Sequence, residues 1–189
     1  MVGDKQKKSS QRLQSISISG TQITPSPNVK LHGVHIDEEL SLSVQISRTV
    51  SFGFFHLRQM KAIRRCLPSD ATTSLVNAFV VSRPDYCNSI YAGLPQSETN
   101  RQQTVYNAAA RLIFGASRYS HITPLLRDRL HWLRCTDRIQ YKLCMTVFKA
   151  LHGMVPEYLT ELYTLVVVGE KRAVLRSAST LHGLLNIPR

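Results

Sequence analysis

No two aspartates stand side by side in this chain. A two-metal phosphoryl-transfer centre needs clustered carboxylates to hold ions about 4 Å apart. Here Asp37, Asp70, Asp85, Asp128 and Asp137 are scattered over turns and helix starts, with Asp70 and Asp137 placed as helix caps. The acidic cluster Asp37-Glu38-Glu39 reads as a solvated turn. Metal-ligand spacing is also missing. There is no CxxC and no HxxxH, and His131, Cys135 and Cys144 do not form the two close pairs of a structural zinc site. No GxxxxGK[ST] or GxGxxG loop is present to cradle phosphates. Cys87 and His121 carry no local mark of an activated nucleophile. The sequence therefore implies no cofactor, no metal and no catalytic constellation.

Other shortages bound the setting. The apolar run Ala78-Phe79-Val80-Val81 falls far short of the ~20 residues a membrane helix needs. Residues 1–12 have no apolar stretch of the signal-peptide kind. The four cysteines, Cys66, Cys87, Cys135 and Cys144, are then expected to be reduced, free thiols of an intracellular protein, with a role as small core residues favoured over a chemical one.

Basic residues are abundant. Lys and Arg number 24 against 12 Asp and Glu, a formal charge of +12. That excess favours a polyanionic partner, nucleic acid above all, although charge alone also suits a merely soluble basic protein. Hydrophobic residues at 43% supply enough material for one domain with a core.

Patterning divides the chain into a small β unit followed by six or seven helices. Residues 1–14 are polar and basic and are expected to be disordered. Ser15-Ile16-Ser17-Ile18-Ser19 alternates with period two, and residues 29–36 read as a second extended segment, together a hairpin-like unit over 15–40. From Ser41, a candidate N-cap with Ser43 nearly as good, Ile46, Val50, Phe54, Leu57, Met60 and Ile63 recur at helical spacing. A helix over 71–82 is apolar nearly all round and is expected at the centre of the bundle. Arg83-Pro84 should break or kink the chain. A short helix is expected over 85–91 and further helices over 97–114, 121–130, 136–151 and 157–165, before an irregular basic tail at 166–189. Phe54, Leu57, Leu75, Phe79, Ala109, Leu112, Trp132, Leu143 and Val147 are the expected core.

The first long helix carries the most informative pattern. No acidic residue lies between Ser41 and Leu67, while Arg58, Lys61 and Arg65 fall at i, i+3 and i+7 with Arg64 beside them. Such a stripe neutralises successive phosphates without reading sequence. The alternative is a solvated helix face, but solvated faces usually mix signs. A second basic set, Arg134, Arg138, Lys142 and Lys149, is tempered by Asp137.

Several strings, in order, resemble one family. Val29-Lys30-Leu31-His32-Gly33-Val34-His35-Ile36-Asp37 is similar to the "LGV..D" strand that comes after the catalytic palm of LINE-type (non-LTR retrotransposon) reverse transcriptases. Phe55-His56-Leu57-Arg58 with Ile63-Arg64-Arg65 resembles the family's basic helix. Ser82-Arg83-Pro84-Asp85-Tyr86-Cys87-Asn88-Ser89 with Gly93-Leu94-Pro95 resembles "SRLDYCNS…GLP", and Asn107-Ala108-Ala109-Ala110-Arg111-Leu112-Ile113 resembles "QNAAARLI". His121-Ile122-Thr123-Pro124, Leu130-His131-Trp132-Leu133, Arg138-Ile139 with Tyr141-Lys142, Pro156-Glu157-Tyr158-Leu159 and Arg176-Ser177-Ala178 continue the series. Pro84 stands where the family has an apolar residue, and Leu31-His32-Gly33 replaces Asn-Leu-Gly.

The resemblance implies a mainly α fold in which a β remnant of the palm edge (15–40) precedes a helical thumb-like domain (41–165) that grips template and primer. It places the polymerase's catalytic "ADD" string before residue 15, where this chain has none. The expectation is a catalytically inactive reverse transcriptase-like fragment retaining non-specific contact with RNA or DNA backbone. Arg58, Lys61, Arg64, Arg65, Arg138 and Lys142 are the candidate contacts, and the palm of a full-length reverse transcriptase is a further candidate partner. The rival expectation is a helical protein–protein interaction module that does not bind nucleic acid.

Overall fold

A computed structural model describes residues 15–161, together with the backbone of two short strands at 164–165 and 185–186. The tails expected at 1–14 and over most of 166–189 lie outside the described residues. The fold is mainly α with a small β element at its N-terminal side. The chain divides into two compact units, Met1–Gln45 and Ile46–Arg189.

The first unit holds two antiparallel hairpins where the sequence suggested one. Strand β1 (Ile16–Ile18) pairs with β2 (Thr21–Ile23), and β3 (Asn28–Leu31) pairs with β4 (Val34–Asp37). The segment read as one extended run over 29–36 folds back on itself at His32-Gly33. Both turns are two residues long with positive φ at each position, 51° and 80° at Ser19-Gly20 and 47° and 84° at His32-Gly33. That geometry matches the right-handed twist of the flanking strands, and Gly supplies the second position without steric cost. Ile16, Ile18, Ile23, Val29 and Leu31 are exposed, whereas Val34 is buried.

At the end of β4, Asp37 organises the entry to the first helix. Its Oδ1 accepts the Leu42 N–H at 3.0 Å and its Oδ2 accepts the Ser41 hydroxyl. Ser41 Oγ in turn accepts the Ser43 N–H at 3.4 Å, so Ser41 satisfies one of the free amides of helix α1 (Ser43–Ile63). The Ser41 hydroxyl first, and the Leu42 amide second, hold the Asp37 carboxyl below its ordinary value.

The second unit is a bundle of helices. Beyond α1 come α2 (Ser69–Val76), α3 (Ser82–Asp85), α4 (Gln96–Phe114), α5 (Cys135–Leu151) and α6 (Glu157–Thr160). The last helix, expected to reach residue 165, ends at Thr160, and Thr164–Leu165 pairs with Leu185–Asn186 instead. Asp70 and Asp137 lie inside the first turns of α2 and α5 and make no capping hydrogen bond, a correction to their reading as caps. Their charges still favour the helix dipoles there.

Helix α4 is the axis of the bundle. Val105, Tyr106, Ala109, Ala110 and Ile113 are fully enclosed. Against it pack α2, α5 and the turn at 125–129. Helix α1 meets α4 at Gly53, where a Cβ would lie only 2.7 Å from Val105 Cγ1. Gly53 thus gives up helix propensity, on the order of 1 kcal/mol, so that the two helices can approach. One turn away, Arg101 of α4 donates to Ser47 Oγ at 2.8 Å and pairs with Glu98.

Between α2 and α3 the helix widens. Over Asn77–Val81 the turn is of π type, with the Ser82 N–H donating to the Asn77 carbonyl five residues back. Pro84 therefore does not break the chain but sits buried in α3. A proline ring clashes with the carbonyl four residues before it, here Val80, and the widened turn relieves that conflict. The same widening changes which side chains face inward. Thr72, Val76, Val80 and Val81 are buried, but Phe79 is 48% exposed. The helix is one-sided rather than central, and Phe79 is not core. Of the other expected core residues, Leu57 and Ala109 are buried, while Phe54, Leu75, Leu112, Trp132, Leu143 and Val147 are half-buried. Ile46, Val76, Tyr91, Val105, Tyr106 and Ile113 fill the centre in their place. Among the described residues no helix is long and apolar enough to cross a membrane.

Candidate nucleic-acid interface

The C-terminal half of α1 and the C-terminal end of α4 wall a groove of about 720 Å³. Its apolar floor includes Phe54, Leu57, Ala108 and Leu112. Six cations surround that floor: Arg58, Lys61, Arg64 and Arg65 from α1 and the turn after it, Arg111 from α4, and Arg118 from the loop beyond. Among the described residues no acidic side chain lines it. The low-dielectric floor weakens solvent screening of the surrounding charges, so an anion there meets a focused positive field.

The six cations have different roles. Arg58, Lys61 and Arg65 are exposed, as the spacing predicts. Arg64 is not a free phosphate contact. Its Nε and one terminal nitrogen donate to the carbonyls of Leu112 and Ile113 at 3.2 and 2.8 Å, and its other terminal nitrogen donates to Leu67 at 3.2 Å. It caps the carbonyl end of α4, where a cation also favours the helix dipole. Arg64 therefore builds the groove by tying its two walls together.

Arg111 and Arg118 were not singled out by sequence reasoning. Arg111 is the basic residue in the last turn of α4, and its Nε is buried without a hydrogen-bond partner. The signal was present in the string Ala110-Arg111-Leu112, where an arginine comes after three alanines on a packed helix. Its alignment with the α1 stripe depends on how the helices cross, which spacing does not reveal.

The second basic set does not form a patch. Arg138 is turned inward, donating to Asp85 Oδ2 at 2.5 Å and to the Leu133 carbonyl at 3.0 Å. Its guanidinium lies 4.7 Å from the Tyr106 ring centre and 5.8 Å from that of Trp132. Asp85 also accepts the Tyr106 hydroxyl at 2.8 Å. Arg138 is thus a structural residue, a correction to its place among the candidate contacts. Lys142, Arg134 and Lys149 remain exposed. Burial, with the Asp85 charge beside it, raises the Tyr106 phenol far above its ordinary range. The same causes push the Cys135 thiol up to about 11, and it donates to Gln102 Oε1 at 3.1 Å. Neither group is poised for chemistry near neutral pH.

A second cleft, about 610 Å³, lies between α4 and the start of α5. Gln96, Asn100, Gln103 and Asn107 line it as an amide stripe along α4, linked in pairs by hydrogen bonds of 2.9 and 3.0 Å. Among the described residues no group of three His, Cys, Asp or Glu side chains is placed to hold a metal ion. No family model matches the chain, and no curated protein or solved structure matches it either.

Proposed function

We propose that this chain is a reverse transcriptase-like fragment of the LINE type, without polymerase activity of its own, which contacts RNA or DNA backbone through the groove between α1 and α4. The observation that carries the binding reading is the convergence on one groove of six cations and, among the described residues, no carboxylate. Two helices distant in sequence meet there, locked by the Arg64 cap, whose partner Leu112 lies 48 positions on. A solvated helix face would carry mixed charge and would need no second wall. The ordered run of family-like strings supports the origin.

The test is salt dependence. Fluorescence anisotropy against a labelled strand should give sequence-blind binding with Kd on the order of 10⁻⁴–10⁻⁶ M at physiological salt, weakening steeply as salt rises. Binding that ignores salt removes the groove as a phosphate contact. Template-dependent primer extension in Mg²⁺ or Mn²⁺ removes the inactive reading.

One observation favours the rival, a protein-docking module. Tyr141, Phe148 and Leu151 form an exposed stripe along α5, with Tyr158 exposed on α6. Docking through that stripe is insensitive to salt and to the groove arginines.

A further inference from the structure

The flank of α1 facing away from the basic groove carries a second chemistry. Phe52 and His56 project there, on the side of the helix opposite Lys61, and Phe55, three residues before Arg58, stands at the boundary between the two faces. The widened turn after α2 brings Phe79 against them. His56 stacks on Phe79 with ring centres 5.9 Å apart and planes 27° apart, and it meets Phe52 at 4.2 Å and Phe55 edge-on at 5.3 Å. Arg83 closes one end, its guanidinium 4.3 Å from the Phe52 ring centre. Arg48 lies one turn before Phe52 on the same helix.

Half of this cluster is open. Phe55 is 50% and Phe79 48% exposed, and Arg48 and Arg83 are exposed too. Burying a phenylalanine stabilises a fold, so two half-open rings forgo part of that stabilisation. No acidic residue stands on α1, and Asp85, the one carboxylate of α3, pairs with Arg138, so among the described residues no ion pair neutralises Arg48 or Arg83. Exposed aromatic rings set between unneutralised cations suit a ligand with flat π faces and negative charge. A neutral apolar helix would meet two charges at the rim that it could not pair.

We propose that Phe55 and Phe79, flanked by Arg48 and Arg83, form a stacking platform for the bases of a single nucleic-acid strand. The proposal rests on the nucleic-acid reading above and adds what the groove cannot supply, a preference for unpaired bases. Stacking tolerates any base because every base has a π face, while the arginines track the backbone. A duplex, whose bases are already stacked, does not gain from it.

Anisotropy titrations of the full chain test this with two labelled strands of about 15 nucleotides, oligothymidylate and an abasic strand of equal length and charge. The parent should bind the thymidylate strand more tightly. Phe55→Ala and Phe79→Ala should each weaken that binding about 5- to 140-fold, the range of one aromatic–base stack converted at tenfold per 1.4 kcal/mol. Both should leave abasic binding unchanged, and Phe55→Leu, apolar but not aromatic, should behave as Phe55→Ala. An Arg58/Lys61/Arg65 triple Ala variant should weaken both strands alike. Equal affinity of the parent for the two strands, with both weakened by the triple variant, overturns the platform and leaves the groove standing. Ring variants that bind the thymidylate strand like the parent also overturn it and leave the ledge to a protein partner. A parent that binds neither strand overturns both readings.

Discussion

Asp85 and Arg138, 53 positions apart, meet at 2.5 Å and fasten the end of α3 to α5. Each is held by more than the other. Asp85 also accepts from Tyr106, and Arg138 lies over the Tyr106 and Trp132 rings. The pair closes a network that includes Tyr106, the single, enclosed tyrosine of α4.

Arg138→Ala is expected to destabilise the fold by about 2–3 kcal/mol, since it leaves a partly shielded carboxylate without its cation. Arg138→Lys should recover only part of the loss, because an ammonium cannot reproduce the planar contact with two rings. Denaturant midpoints of Asp85→Asn, Arg138→Ala and the double variant form a cycle. Strictly additive losses would show that the two side chains are not coupled.

The groove separates two kinds of arginine. Arg58→Ala, Lys61→Ala and Arg65→Ala should each flatten the log–log salt slope of binding by about 0.7 to 0.9 and leave stability nearly unchanged. Arg64→Ala should cost about 1–3 kcal/mol of stability, because the carbonyl end of α4 loses its cap. A thermal melt of Arg64→Ala coincident with the parent's would return Arg64 to the solvent face.

Gly53→Ala tests the helix crossing. Alanine improves helix propensity by about 1 kcal/mol, yet its methyl would sit 2.7 Å from Val105 Cγ1. Val105 is buried and β-branched, so it has little room to turn aside. The net effect should be a loss of about 1–2 kcal/mol. In a Val105→Ala background the same change should become stabilising, as the added methyl occupies the space vacated. Identical effects in both backgrounds would place the crossing elsewhere.

Two titratable groups give opposite expectations. The Asp37 carboxyl is lowered by its bonds to Ser41 and Leu42, so it contributes stability above its unfolded value of 3.8, lost as pH falls through the lower folded value. Ser41→Ala should raise the carboxyl towards 3.8, readable by NMR titration. Cys135, pushed up to about 11, should resist a thiol reagent near pH 8 until the protein unfolds, while exposed Cys66 and Cys144 react at once. Rapid labelling of Cys135 in the native protein would show that its shelter opens.

Much of the helical architecture was readable because periodicity and breakers agree. Helix α4 begins one residue from the expected position and ends at Phe114 as expected, between Pro95 and Gly115. The exposed members of the α1 stripe are where their spacing puts them. Phe79 is exposed because all-round apolarity does not say which face of a helix is buried, and the π turn at Asn77–Val81 turns Val80 and Val81 inward instead. Arg64 and Arg138 were misassigned for a different reason. An arginine that caps a carbonyl or pairs with a distant aspartate has the same local sequence as one facing solvent, and only the fold brings its partner near. The two hairpins were merged into one because His32-Gly33 was read as part of a strand, although such a pair suits a two-residue turn.

The wide turn at Asn77–Val81 contains one residue more than an α-helix would use to make the same hydrogen-bonded turn. In terms of chain length, this is where the helix can shorten without rotating α3. Removing one residue there would leave α3, and with it Asp85, in the same rotational register, at the cost of pressing Pro84 against the carbonyl of the turn before it. Removing one residue elsewhere between Ser69 and Asp85 would rotate Asp85 by about 100° away from Arg138. Tolerance to deletion along this helix is therefore expected to be concentrated in those five positions rather than spread along its exposed face.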